Sequence, residues 1–150
     1  MFVSLIFVSR RTSDRAVTKA HMEEVVTRLA ERNARIGVRG TLLVTGRHAA
    51  QIIEGPEDQV DRLMAAIRED PRHEDVTVIE RKPIDGYRFA DWCFGYWGDA
   101  TYMDQKISAV LEKRGAAALA GDTAQLYDLM RLLARESLKQ QGPIGIPPAS

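Results

Sequence analysis

Residues 41–44 and 49–53 are two short apolar runs separated only by Thr45-Gly46-Arg47-His48. Each run has the length of a strand, and the glycine between them supplies the positive φ that a tight reversal asks for. The pair therefore predicts a β-hairpin around which the flanking segments pack. Gln51 is the residue out of place in it. A neutral amide carries two donors and an acceptor, and burying one beside Ile52 and Ile53 without a partner costs about 1–3 kcal/mol. Either neighbouring backbone or a bound heterocycle would satisfy it.

Residues 2–9 are rich in β-branched and aromatic side chains and predict a first, central strand, with Phe7 on the face of Val3 and Leu5. From about Thr18, the apolar positions Met22, Val25, Val26, Leu29 and Ala30 recur with helical spacing. That helix is expected to end near Asn33, since asparagine adopts the left-handed stop conformation, with Gly37 and Gly40 leading into the hairpin. Gly55-Pro56 resets the chain, and Glu57 and Asp58 suit the first turn of a second helix with the buried stripe Val60, Leu63, Met64 and Ile67. Pro71 ends it. Residues 76–81 read as a strand, 83–88 as a loop and 92–96 as a short last strand.

The order βαββαββ is that of an α/β (α+β) ferredoxin-like sandwich with a five-stranded sheet, both helices on one face and the other face in need of cover. Met103, Ile107, Val110 and Leu111, followed by Leu126, Leu129, Met130, Leu132 and Leu133, predict two C-terminal helices. They are expected to be separated by Gly121-Asp122, capped by Asp122 or Thr123, and packed on the helix-free face or on a second subunit. The chain thus divides into a domain over residues 1–97, a helical extension over 98–140 and a frayed tail over 141–150.

Lys+Arg and Asp+Glu balance at 21 each, which removes any overall electrostatic case for nucleic acid or an anionic membrane. A single cysteine, Cys93, excludes an internal disulfide and reads as a small buried hydrophobe. His21, His48 and His73 fall on different elements without metal-ligand spacing. The first residues lack a signal peptide's features and no apolar run would span a bilayer, so a soluble cytoplasmic protein is expected. No P-loop, serine-nucleophile motif or acid/base pair marks an enzyme.

Four stretches, taken together, resemble the BLUF domain, a blue-light sensor that uses FAD. They are Arg32-Asn33-Ala34-Arg35-Ile36-Gly37-Val38-Arg39-Gly40, Gln51-Ile52-Ile53-Glu54-Gly55-Pro56, Asp70-Pro71-Arg72-His73 and Arg88-Phe89-Ala90-Asp91-Trp92. In BLUF domains the flavin ring slots between the two helices above the sheet. The resemblance implies that Asn33 hydrogen-bonds the flavin and that Arg32, Arg72 and His73 lie near it, with Val25 among the cofactor-binding positions. It also implies that Gln51 is the glutamine whose amide reorients or tautomerises when light moves an electron and a proton from a tyrosine through it to the flavin. Trp92 and the residue two beyond it, Phe94, match signalling positions.

The photochemical tyrosine is Phe7 here, and phenylalanine has no O–H to orient Gln51 or to give up. Arg39, Ala49, Ala50 and Ala66 also depart from the family pattern, and Phe94 replaces a methionine. The expectation is a homo-oligomeric FAD-binding blue-light sensor homologue without the tyrosine-dependent photocycle, signalling through contacts with a downstream protein. The alternative is a flavin-free BLUF-like interaction or oligomerisation module.

Overall fold

Strand β1 (Phe2–Arg11) is buried without interruption over residues 3–9, which requires cover on both faces and a neighbour on each edge. The computed structural model describes the backbone of residues 1–12, 19–97 and 116–141, and the side chains of residues 1–12, 23–92 and 123–135. Around β1 it sets helix α1 (Lys19–Ile36), the hairpin β2 (Arg39–Val44) and β3 (His48–Pro56), helix α2 (Glu57–Glu69), strands β4 (His73–Ile84) and β5 (Trp92–Trp97), and helix α3 (Ala116–Gln141). The sheet order is β4-β1-β3-β2-β5. Every pairing is antiparallel except β2 with β5, which is parallel. This is the ferredoxin-like sandwich with a fifth strand added at one edge.

Directly paired residues of neighbouring strands share a face, so the register sorts the core. Val3, Leu5 and Phe7 lie opposite Gly55, Ile53 and Gln51, and Gly40 and Leu42 lie opposite Ile53 and Gln51. On this face α2 covers Val3, Leu5, Phe7 and Ile53 with Val60, Leu63, Met64 and Ile67. Beside it, α1 covers Leu42, Val44 and Trp92 with Val26 and Ala30. The opposite face carries Ile6, Val8, Leu43, Ala50 and Ile52, and α3 lays Leu126, Met130 and Ala134 across them at successive four-residue steps.

Several boundaries differ from expectation for identifiable reasons. Asn33 does not end α1, because the left-handed residue is Gly37, at φ 72°. The Val38 N–H reaches the Asn33 carbonyl at 2.9 Å and the Gly37 N–H reaches Ala34 at 3.3 Å, a Schellman stop that keeps Asn33 inside the last turn. The hairpin does not use a positive φ at Gly46 either. Thr45 closes it instead, its N–H donating to the His48 carbonyl at 2.9 Å and its Oγ1 accepting from the His48 N–H at 3.0 Å. Strand β4 extends to Ile84 and absorbs Pro83 from the expected loop, which an edge strand tolerates.

Helix α3 runs unbroken through Gly121-Asp122, so neither Asp122 nor Thr123 caps it. A glycine inside a helix costs about 1 kcal/mol relative to alanine, a cost offset by the alanine-rich run before it and the apolar face after it. The helix expected around Met103–Leu111 and the tail beyond Gln141 lie outside the described residues.

Gly40, at φ 142°, sets how closely β2 approaches β3, because a Cβ built there would stand 1.9 Å from the Ile52 carbonyl oxygen. Gly40→Ala is therefore expected to destabilise the protein by about 2 kcal/mol or more in urea unfolding. Gly86→Ala, with nothing within 4 Å, is the control, and its change is expected to stay within about 1 kcal/mol. Equal unfolding midpoints for the two variants would refute the close-approach argument.

Candidate functional site

Across the sheet, Phe7, Gln51 and Leu42 form one row on the face shared by α1 and α2. Phe7 belongs to the apolar cluster under α2 and Leu42 to the cluster under α1. Gln51 belongs to neither and marks the seam between them. Trp92 pairs in register with Gly40 at the β2–β5 edge and packs into the α1 cluster. Asn33 comes to this side from the last turn of α1, held there by the bond its carbonyl accepts from Val38.

All four side chains are sequestered: Asn33 is 0% exposed, Phe7 1%, Trp92 1% and Gln51 5%. Yet Asn33 Nδ2, Gln51 Nε2 and Trp92 Nε1 find no hydrogen-bond partner among the described residues. Among the described residues, the Asn33 Oδ1 receives only a long bond, from Arg32 Nε at 3.4 Å. Three buried donors without acceptors are unusual, each costing about 1–3 kcal/mol when left so. These three are N–H groups, so what would satisfy them is an acceptor, whereas the Thr41 and Thr123 hydroxyls, also without partners among the described residues, can donate or accept. A flavin ring edge, with its carbonyls and unprotonated ring nitrogens, fits that demand. Phe7, directly beside Gln51, offers it no hydrogen bond.

At one end of the seam lies a charged rim. In the turn after α2, Arg72 donates to Asp70 through Nε at 3.0 Å and Nη2 at 2.6 Å. These bonds are the main reason the Asp70 carboxyl is lowered to about 2. The Arg32 guanidinium, next to Asn33, has its pKa lowered first by burial and then by repulsion from Arg72, with Asp70 pulling the other way. His73 contacts the buried Ser9 hydroxyl at 3.2 Å through Nδ1, and burial lowers its pKa despite the attraction of Asp70. Arg32, Arg72 and His73 are thus brought into one electrostatic cluster, organised by Asp70, to which the sequence assigned no role.

Val25 is half-buried on α1. Phe94 of β5 pairs through its backbone with Leu42 of β2, and its side chain lies outside the described residues. Three of the departures from the family pattern fall away from the seam. Ala50 is on the opposite face beneath α3, Arg39 shares that face and lies over the Tyr87 ring, and Ala66 is exposed on α2. Ala49 is buried in the next row, between Ser9 and Val44.

Gln51→Leu keeps the volume and removes the orphaned donor, so the ligand-free protein is expected to gain about 1 kcal/mol in urea unfolding. A loss of similar size would show that Gln51 is satisfied within the protein. For His73 the sign follows from burial: the folded pKa lies below the ordinary 6.5, so the unfolded chain binds the proton more readily. The stability from neutral His73 is complete above that value and is lost as pH falls through the folded pKa. Between pH about 7 and 5, His73→Gln should show a flatter decline in unfolding midpoint than the parent, and parallel declines would refute the assignment.

Among the described residues, no helix is long and apolar enough to cross a membrane, and no group of His, Cys, Asp and Glu could hold a metal ion. The BLUF family, described as sensors of blue-light using FAD, matches residues 2–95. The photoactivated adenylate cyclase subunit beta of Euglena gracilis is 33% identical over 88 residues, which cover 59% of this chain and 10% of that protein. The blue light- and temperature-regulated antirepressor BluF of Escherichia coli (strain K12) is 41% identical over 79 residues, covering 53% of this chain and 19% of that protein. Among solved structures, the dark state of BlrB, a BLUF protein, matches with a TM-score of 0.64 at 28% identity, covering 87% of this chain and 96% of that one. The chain spans only about a tenth to a fifth of the length of these cyclase and antirepressor relatives. With a ferredoxin-like sheet, partnerless buried donors on the side covered by α1 and α2 and a family match over residues 2–95, this chain belongs to the BLUF family of blue-light sensors, non-catalytic modules whose cofactor is FAD.

Proposed function

We propose that the chain is a blue-light sensor homologue that holds FAD on the seam between α1 and α2, with its tyrosine-dependent photocycle absent. Asn33, Gln51 and Trp92 would supply hydrogen-bond donors to the ring edge, Val25 would line the site, and Arg32, Arg72 and His73 would face the polar parts of the cofactor. The observation that carries this reading is the set of three buried N–H donors without partners among the described residues. When bound, FAD supplies the absorption of blue light and an acceptor for an electron. Gln51 orients its amide toward the ring, and Phe7, its cross-strand neighbour, has neither a proton to give nor an oxygen to hold that amide.

The output is a changed contact surface rather than turnover. Residues 1–97 form the sensor, 98–140 are a helical extension that packs on the sheet or on a partner subunit, and 141–150 are a flexible tail. Trp92 and Phe94 in β5 connect the seam to the sheet edge. The Euglena relative is named as a cyclase and the E. coli relative as an antirepressor, so related sensors serve different outputs. A downstream protein, homo-oligomeric assembly and a cytoplasmic setting complete the proposal. One observation favours a flavin-free interaction module instead: the seam is closed over Asn33 and Gln51, at 0% and 5% exposure. Closure without a ligand leaves the donors unmet, which is why the FAD reading is preferred.

Protein purified in the dark is expected to be yellow, with flavin bands in the blue and near ultraviolet. A colourless protein that takes up no added FAD would leave the interaction module as the function. In flavin-loaded protein, Phe7→Tyr is expected to produce a small red shift of the flavin band on blue illumination, which the parent lacks. Bound flavin, a tyrosine hydroxyl within hydrogen-bond reach of Gln51 and still no shift would remove Phe7 as the cause.

A further inference from the structure

Glu54 is fully buried although it carries a carboxylate. A charge at that depth is retained only where opposite charge and hydrogen bonds meet it. Here they come from the segment that leads into β5. The backbone N–H groups of Arg88 and Phe89 donate to Glu54 Oε1 at 2.5 and 2.7 Å, and Arg88 Nε faces Oε2 at 3.3 Å. Arg88 also donates to the buried Ser4 hydroxyl of β1. Arg39, paired in register with Glu54, donates to the Phe89 carbonyl at 3.4 Å.

The same segment touches both faces of the sheet. On the α3 side, the Arg88 guanidinium lies 4.7 Å from the centre of the Tyr127 ring, and Arg131 lies 5.5 Å from that of Phe89 while donating to the Tyr127 hydroxyl at 3.1 Å. Four residues beyond Arg88, Trp92 is buried on the other face among Val26, Ala30, Leu42 and Val44. The Gly40 N–H bonds the Asp91 carbonyl at 3.3 Å, and Asp91 Oδ1 accepts the Trp92 N–H at 2.9 Å, so little slack separates clamp and indole.

We propose that Glu54 is a positioning residue: by clamping Arg88 and Phe89 to the α3 side of the sheet, it holds Trp92 buried in the α1 cluster on the opposite side and ties that placement to Tyr127 of α3. As a step of signalling, this rests on the function proposed above. As the determinant of where Trp92 sits, it stands without flavin. Gln51 and Glu54 lie three residues apart on one strand and face opposite ways, so β3 supports both the seam and the clamp.

The test uses the full chain labelled with fluorotryptophan, with Trp97→Phe leaving Trp92 as the only reporter. The difference in its fluorine resonance between light and heavy water reports exposure of the indole, in the dark and with or without FAD. Glu54→Gln keeps one oxygen for the two backbone N–H groups but turns an amide donor toward Arg88. The expected result is replacement of the buried, solvent-insensitive signal by a solvent-sensitive one, with an unchanged far-ultraviolet dichroism spectrum. Arg88→Ala, at a partly exposed side chain, is expected to do the same and carries the test if Glu54→Gln does not fold.

Tyr127→Leu should shift the Trp92 signal in the parent background. Arg88→Lys retains charge but cannot lay a planar guanidinium on the ring, so it should keep the buried signal and abolish its response to Tyr127→Leu. An unmoved Trp92 signal in folded Glu54→Gln or Arg88→Ala protein overturns the clamp, and an unmoved signal in Tyr127→Leu overturns the tie to α3. FAD content measured on the same samples separates the two readings. A colourless protein whose Trp92 responds as expected keeps the clamp and loses the sensor function.

Discussion

Strand β3 is enclosed by β1 and β2 along its length, and its alternation assigns every residue to one face or the other. Gln51 faces α1 and α2 only because it pairs with Phe7 on one side and Leu42 on the other. A slip of one residue would bring Ile52 into the seam and send Gln51 beneath α3. The register is pinned by close approaches that only glycine permits. Gly40 admits the Ile52 carbonyl, and a Cβ on Gly55 would stand 2.6 Å from the Gly37 carbonyl oxygen, at the stop that ends α1. That stop also fixes Asn33. The chemistry of the seam therefore depends on contacts made by residues that carry no chemistry themselves.

Much of the scaffold was legible because it is local. A buried run reads as a central strand, and the stripe Val60, Leu63, Met64 and Ile67 reads as a helix face. What escaped was decided between elements. Thr45 rather than the φ of Gly46 closes the hairpin, because its hydroxyl competes for the His48 N–H. Helix α3 passes Gly121 because burial on the sheet outweighs one poor residue. At the site, Asn33, Gln51 and Trp92 stand on three elements, and periodicity alone gives no reason to bring them together. The family pattern supplied that. Asp70 as organiser of the rim and Glu54 as clamp depend on side-chain pairings across loops, which spacing does not encode.

The departures from the family pattern separate by face. Ala50 lies under α3 with Ile6, Ile52 and Met130, where a bulkier side chain would displace the helix. Its small size is explained by that packing and says nothing about a cofactor. Arg39 serves the opposite face through Tyr87 and Phe89, and Ala66 is at the surface. Among the departures whose side chains are described, Phe7 and Ala49 are on the seam side, and neither removes any of the three orphaned donors.

On the proposed function, Phe7 separates fold from photochemistry at one position. Its ring packs under α2 with Leu63, Met64 and Ile67, and that role uses the aromatic ring and not a hydroxyl. The sheet therefore loses little by the change, whereas Gln51 loses the neighbour that would fix its amide. An amide left free in this way adds to a site already holding several kcal/mol of unmet hydrogen bonding in its ligand-free state, at about 1–3 kcal/mol per donor. A ligand that brings acceptors would recover that cost, and on the proposed function binding and folding stability would then be linked through the same three N–H groups. On that reading cofactor retention would outlast the photocycle, because the donors that would hold the ring are independent of the residue that would drive it.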